Sequence, residues 1–110
     1  MRKLLLLAAL WSAPAFAADQ AVEGKQIFIR VGCYQCHNYD AQGGAAGVKL
    51  APDPLPFDAL SDFVRGTTGV MPAYSKAILP DADLRKIYAY LASIKKARSV
   101  DSIPLLKNLQ

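Results

Sequence analysis

The residues with the most chemistry in them are Cys33, Cys36 and His37, arranged Cys-x-x-Cys-His. Two thiols two residues apart, followed at once by an imidazole, form the spacing that attaches a c-type haem. One tight turn presents both sulfurs to one porphyrin edge, where each adds across a vinyl group to make a thioether. The adjoining imidazole then sits under the iron as its proximal ligand. The chain holds 2 cysteines and 1 histidine in 110 residues, so nothing else competes for these roles. A closed zinc site wants four Cys or His ligands, and three are present. A redox-active dithiol would expect a preceding strand and a βαβ pattern, which the sequence does not show. A local disulfide would leave His37 without a task.

A six-coordinate iron needs a second axial ligand opposite His37. Beyond Met1 the chain has one methionine, Met71, within Gly69-Val70-Met71-Pro72. It lies off any helical stripe, and Pro72 biases it toward an extended backbone. The candidate cofactor-binding set is therefore Cys33, Cys36, His37 and Met71, with His37 and Met71 as the metal ligands. Lys49, Lys76, Tyr74 and an open position are the alternatives to Met71. The choice carries the function. Thioether sulfur favours ferrous iron and raises the reduction potential. Filling both axial positions suits one-electron transfer, whereas an open site points to peroxidase chemistry or gas binding.

Three helical patterns must position these groups, and no strand pattern is visible. Gly24, Ile27, Phe28 and Val31 repeat at i, i+3, i+4 and i+7, one face of a helix. The pattern predicts a helix from about residue 20 to Val31, N-capped by Asp19. Pro56 to Arg65 reads as a second helix, with Pro56 in its first turn, Phe57, Leu60, Phe63 and Val64 along one side, and Gly66 at its end. Leu84, Ile87, Tyr88, Leu91 and Ile94 mark a third after Pro80-Asp81. Asp81 and Asp83 at its start and Lys95, Lys96 and Arg98 at its end complement the helix dipole. Residues 38–55, rich in Gly, Ala and Pro, turn repeatedly; a segment this irregular needs something to pack on, such as a haem edge.

The first residues read as an export signal: Arg2 and Lys3, an apolar run from Leu4 to Trp11, then Ala15-Phe16-Ala17 in small-x-small form. The run is too short to span a bilayer, which takes roughly 20 apolar residues. Cleavage after Ala17 is expected, giving residues 1–17 as signal peptide, 18–98 as the working domain and 99–110 as a C-terminal tail. The address is then the periplasm, an oxidising place where thioether formation consumes two thiols that would otherwise pair. The domain is small, so a large apolar cofactor would be much of its core. The chain carries 13 Lys+Arg against 9 Asp+Glu. Losing Arg2 and Lys3 leaves 11 against 9, and two haem propionates offset most of that. There is no nucleic-acid footprint.

From these residues the chain resembles the class I c-type cytochromes, small soluble monohaem electron carriers. The resemblance covers about residues 20 to 95. It rests on Gly24 and Phe28, Cys-x-x-Cys-His at 33–37, Met71-Pro72, and Ile87-Tyr88-Ala89-Tyr90-Leu91. It implies an all-α cytochrome c fold: about three core helices plus irregular loops around one covalent haem c. It also implies that Gly24 and Phe28 pack across the last helix near Ile87 and Tyr90. Asn38 stands where the family often has glycine, and Gly47-Val48-Lys49-Leu50 where it often has Gly-Pro-x-Leu. In the family that proline's carbonyl accepts the proximal imidazole's N–H; the Val48 carbonyl, or that of Pro52, would serve here. Tyr39, Tyr74 and Arg65 are candidate partners of the haem propionates.

The reading is a periplasmic monohaem cytochrome c, a one-electron carrier or the haem subunit of a dehydrogenase rather than an enzyme by itself. Its partners would be redox proteins (a dehydrogenase, an oxidase or another cytochrome), with no membrane span after signal cleavage. The chain would be a monomer or one subunit of a hetero-complex. Lys25, Lys49 and Lys76 either ring the haem edge and steer a partner or are solvated surface charges. A five-coordinate haem protein with a peroxidase or gas-binding role is the alternative, and a haem-free Cys-x-x-Cys thiol oxidoreductase the second.

Overall fold

The first amphipathic stretch is helical well before its apolar face begins. The computed structural model describes residues 13–106, and in it α1 runs Ala13–Arg30. Asp19 therefore lies inside the helix and caps nothing. Ala17 and Ala18 are strong helix formers and carry the helix through this position. The signal-like residues Arg2, Lys3 and Leu4 to Trp11, and Leu109 in the tail, lie outside the described residues.

Three further helices follow: α2 (Tyr34–His37), α3 (Phe57–Gly66) and α4 (Asp81–Ser93). A short 3-10 turn spans Val100–Ser102. Among the described residues there is no strand, and no helix is long and apolar enough to cross a membrane. The architecture is all-α, as the sequence pattern requires.

The core is the crossing of α1 on α4. Ile27 and Phe28 meet Leu84, Ile87, Tyr90 and Leu91, all buried. The Phe28 and Tyr90 rings stand edge to face with centroids 5.5 Å apart. Gly24 lets the helices come this close: a Cβ there would collide with the Lys86 carbonyl oxygen. Two ion pairs flank the crossing, Glu23 with Lys86 and Arg30 with Asp83.

Helix α4 is buried on two sides, because α3 packs on its other flank. Phe57 meets Tyr88 edge to face at 5.5 Å, and Leu60 is buried below it. This explains why both Tyr88 and Tyr90 are used, on opposite sides of one helix. Phe63 departs from the expected stripe and is 57% exposed. Leu60 is buried and Val64 packs against the core, while Phe63, at the edge of the same stripe, stays outside it. Helix α4 also stops short of Lys95, Lys96 and Arg98, because Ile94 is extended and packs against the core. Lys96 pairs with Asp53 of the long loop instead. The tail makes local turn bonds, including Arg98 to the Ser102 carbonyl, and Leu105 stays exposed.

Candidate functional site

Gly32 ends α1 and aims the chain into the cysteine motif. Its φ of +88° is in the left-handed region. The Cys33 N–H donates to Phe28 O and the Gly32 N–H to Ile29 O, the paired bonds that close a helix with a glycine at its end. Its signal in the sequence is a glycine just past an amphipathic run. One helical turn follows, closed by the His37 N–H on the Cys33 carbonyl. Positions i, i+3 and i+4 share a face of such a turn, so Cys33, Cys36 and His37 project together.

The irregular loop then doubles back under this turn. Asn38 takes φ +63° with ψ 164°, a region essentially reserved for glycine, which the family often has here, and its side-chain amide donates to the Gly43 carbonyl. Gly43 N–H reaches the His37 carbonyl, and Gly44 N–H the Gly47 carbonyl. Gly47 lies so close to the motif that a Cβ there would be 2.6 Å from the Cys36 carbonyl oxygen and 2.9 Å from His37 Nδ1.

His37 is 7% exposed, and its Nδ1 lies 2.7 Å from the Val48 carbonyl oxygen. A carbonyl can only accept, so Nδ1 carries the proton and donates. That tautomer leaves the Nε2 lone pair free for a metal. The Val48 side chain is 72% exposed, so this position contributes its carbonyl alone. Valine can therefore stand where the family often has proline. Pro52 is not the acceptor.

A cleft of about 170 Å³ opens over the motif, lined by Val31, Gly32, Cys33, Gln35, Cys36, His37, Met71, Pro72 and Tyr74. All four candidate cofactor residues border this one space. Both cysteines are free, half-buried thiols. Burial, the largest influence on it, pushes the Cys33 thiol up to about 11. Reactive Cys-x-x-Cys thiols are tuned the other way, toward a low pKa, so the environment does not suit a thiol oxidoreductase. Among the described residues, no group of three or more Cys, His, Asp or Glu is placed to hold a metal ion. The zinc reading has no support here.

Two of the alternatives to Met71, Tyr74 and Lys76, have other partners. Tyr74 lines the cleft, but its hydroxyl donates to the Val31 carbonyl at 2.9 Å, and burial raises its pKa. Lys76 pairs with Asp81 at 2.8 Å. Lys49 follows Val48 in the loop under His37 and does not border the cleft. Lys25 lies over the Tyr90 ring, 5.9 Å from its centroid.

Among the three propionate candidates, Arg65 keeps an unused donor. Its Nη1 donates to the Tyr74 carbonyl and its Nη2 to Asp81, both at 2.9 Å, while its buried Nε has no partner. Tyr39 stacks on Tyr34 at 4.6 Å, and Tyr74 has spent its hydroxyl.

Comparison with known proteins places this geometry. No solved structure matches the chain. A stretch of 55 residues, 50% of the chain, is 38% identical to the menaquinol:cytochrome c reductase cytochrome c subunit of Bacillus subtilis (strain 168). The matched stretch is 22% of that relative's own length, so the chain resembles one part of a larger protein. The family model described as cytochrome c oxidase, cbb3-type, subunit III matches residues 19–91, which run from within α1 to within α4 and take in the whole cleft. The helical fold, the cleft over Cys-x-x-Cys-His and this match agree, and the chain belongs to that family of c-type cytochromes.

Proposed function

We propose that this c-type cytochrome holds one haem c covalently in the cleft and passes single electrons between redox proteins. The observation that carries the reading is that Cys33, Cys36, His37 and Met71, spread over 39 positions, border one cavity. Cys33 and Cys36 would hold the haem by thioether bonds, a net addition of each thiol to a vinyl group that consumes no oxidant. When bound, the haem supplies a ferric/ferrous couple.

The chain's own residues do the rest. The Val48 carbonyl orients the His37 ring and makes Nε2 a stronger donor to iron. Met71, which borders the same cleft, would be the second residue to hold the iron and would deny it to small molecules. The thioether's preference for ferrous iron holds the potential above that of a bis-His centre. Arg65 does not itself border the cleft but is bonded to the carbonyl of Tyr74, which does, and its spare buried Nε would suit a propionate oxygen.

The likeness to a reductase's cytochrome subunit supports a place within, or docked to, a larger electron-transfer complex. The basic start and apolar run at residues 2–11, followed by Ala15-Phe16-Ala17, support export to the periplasm.

The test is a haem stain of the fully denatured protein, followed by Met71→Ala. Wild type should stain and, when oxidised, show the weak far-red sulfur-to-iron band. Met71→Ala should keep the stain, lose the band, bind carbon monoxide when reduced and fall in potential. A colourless denatured wild type overturns the covalent site. An unchanged band in Met71→Ala overturns Met71 as the ligand.

A further inference from the structure

The segment that carries Met71 is poorly anchored. Residues 67–73 form no helix, and Val70 beside Met71 is 99% exposed. Between Gly66 and Tyr74, the side-chain bond of note among the described residues is local, from Gly69 N–H to the Thr67 hydroxyl. A ligand on such a segment would leave the iron readily unless something nearby fixed it.

Tyr74 is that fixed point. Its N–H donates to the Val64 carbonyl at 2.9 Å, its carbonyl accepts from Arg65 Nη1 at 2.9 Å, and its hydroxyl donates to the Val31 carbonyl at 2.9 Å. All three polar groups of one residue are thus tied. Two ties go to α3. The third reaches Val31, which also borders the cleft, two residues before Cys33. The segment bearing Met71 is thus joined through one phenol to the chain that leads into the attachment motif.

We propose that Tyr74 is a positioning residue, a latch whose hydroxyl holds the Met71 segment closed over the iron and so sets how often the sixth position opens. The inference rests on the haem reading above. Releasing the phenol frees one end of the segment while both axial ligands and both thioethers remain. Loss of one net hydrogen bond corresponds to a roughly five-fold larger open population.

The experiment compares Tyr74→Phe with Tyr90→Phe in haem-loaded protein. Tyr90 also donates its hydroxyl to a backbone carbonyl, that of Tyr39, at 2.7 Å, and it does not border the cleft. It therefore controls for simple loss of stability. Tyr74→Phe should bind carbon monoxide to the reduced form roughly five-fold faster and lose the far-red band at a less alkaline pH. Tyr90→Phe should do neither. Equal behaviour of the two variants, or none in Tyr74→Phe, overturns the latch. Wild type without covalent haem overturns the haem reading itself and the latch with it. Should Tyr74→Phe fail to accumulate, amide hydrogen exchange on the unaltered protein decides. The Tyr74 amide should be protected well beyond those of Val70 and Met71, and equal exchange overturns the proposal.

Discussion

Gly24→Ala tests the contact on which the whole fold turns. The added Cβ would meet the Lys86 carbonyl and lie 3.0 Å from the Ile87 nitrogen. These are backbone atoms of α4, so no side-chain rotation relieves the clash and α1 must move away. Overpacking of this kind costs about 3 kcal/mol at the upper end of its usual range. The better helix propensity of alanine returns about 1 kcal/mol. The net loss is about 2 kcal/mol. At about 4–8 °C per kcal/mol for a domain of this size, the midpoint should fall by about 8–16 °C. The assay is thermal unfolding of the haem-loaded protein followed by helical circular dichroism. Gly66→Ala is the internal comparison, because a Cβ there meets nothing within 4 Å, and it should shift the midpoint little. If Gly24→Ala melts at or above wild type, propensity outweighs packing and the helices do not approach as described.

Two further outcomes are expected. Gly47→Ala forces a methyl against the Cys36 carbonyl and His37 Nδ1, so it should displace the Val48 acceptor. The imidazole then becomes a weaker donor and stabilises ferric iron less, so the reduction potential should rise; an unchanged potential would show that the loop gives way without cost. The Asp81 pair responds to acid. Hydrogen bonds from Lys76 and then Arg65 hold its carboxyl below the ordinary 3.8. The folded form thus releases this proton more readily than the unfolded chain, and the pair's contribution is complete above pH 3.8 and lost as pH falls through the lower folded value. Asp81→Asn should lower the melting midpoint at pH 7 and leave it unchanged well below that range. A constant difference across pH would mean that the pair is not what the substitution removed.

Part of this protein was written locally and could be read directly. Cys-x-x-Cys-His lies within one turn, so its geometry follows from spacing alone. The helices showed in their apolar repeats, and Met71 stood out because no helical stripe explained it. The same locality misled at Asp19 and Phe63. A capping residue type does not start a helix that runs straight through it, and a stripe does not say which of its members the neighbouring helix will cover.

The remaining decisions belong to tertiary structure, because they join groups far apart in the chain. Val48 became the partner of His37 only when the glycines at 43 and 47 folded the loop beneath the motif. Tyr74 reached Val31, 43 positions earlier, only because α3 set the start of its segment and α1 the end of its reach. Composition and periodicity name the groups able to form such bonds. Which ones meet is decided by helix crossings and loop closure, and these depend on packing across the whole core.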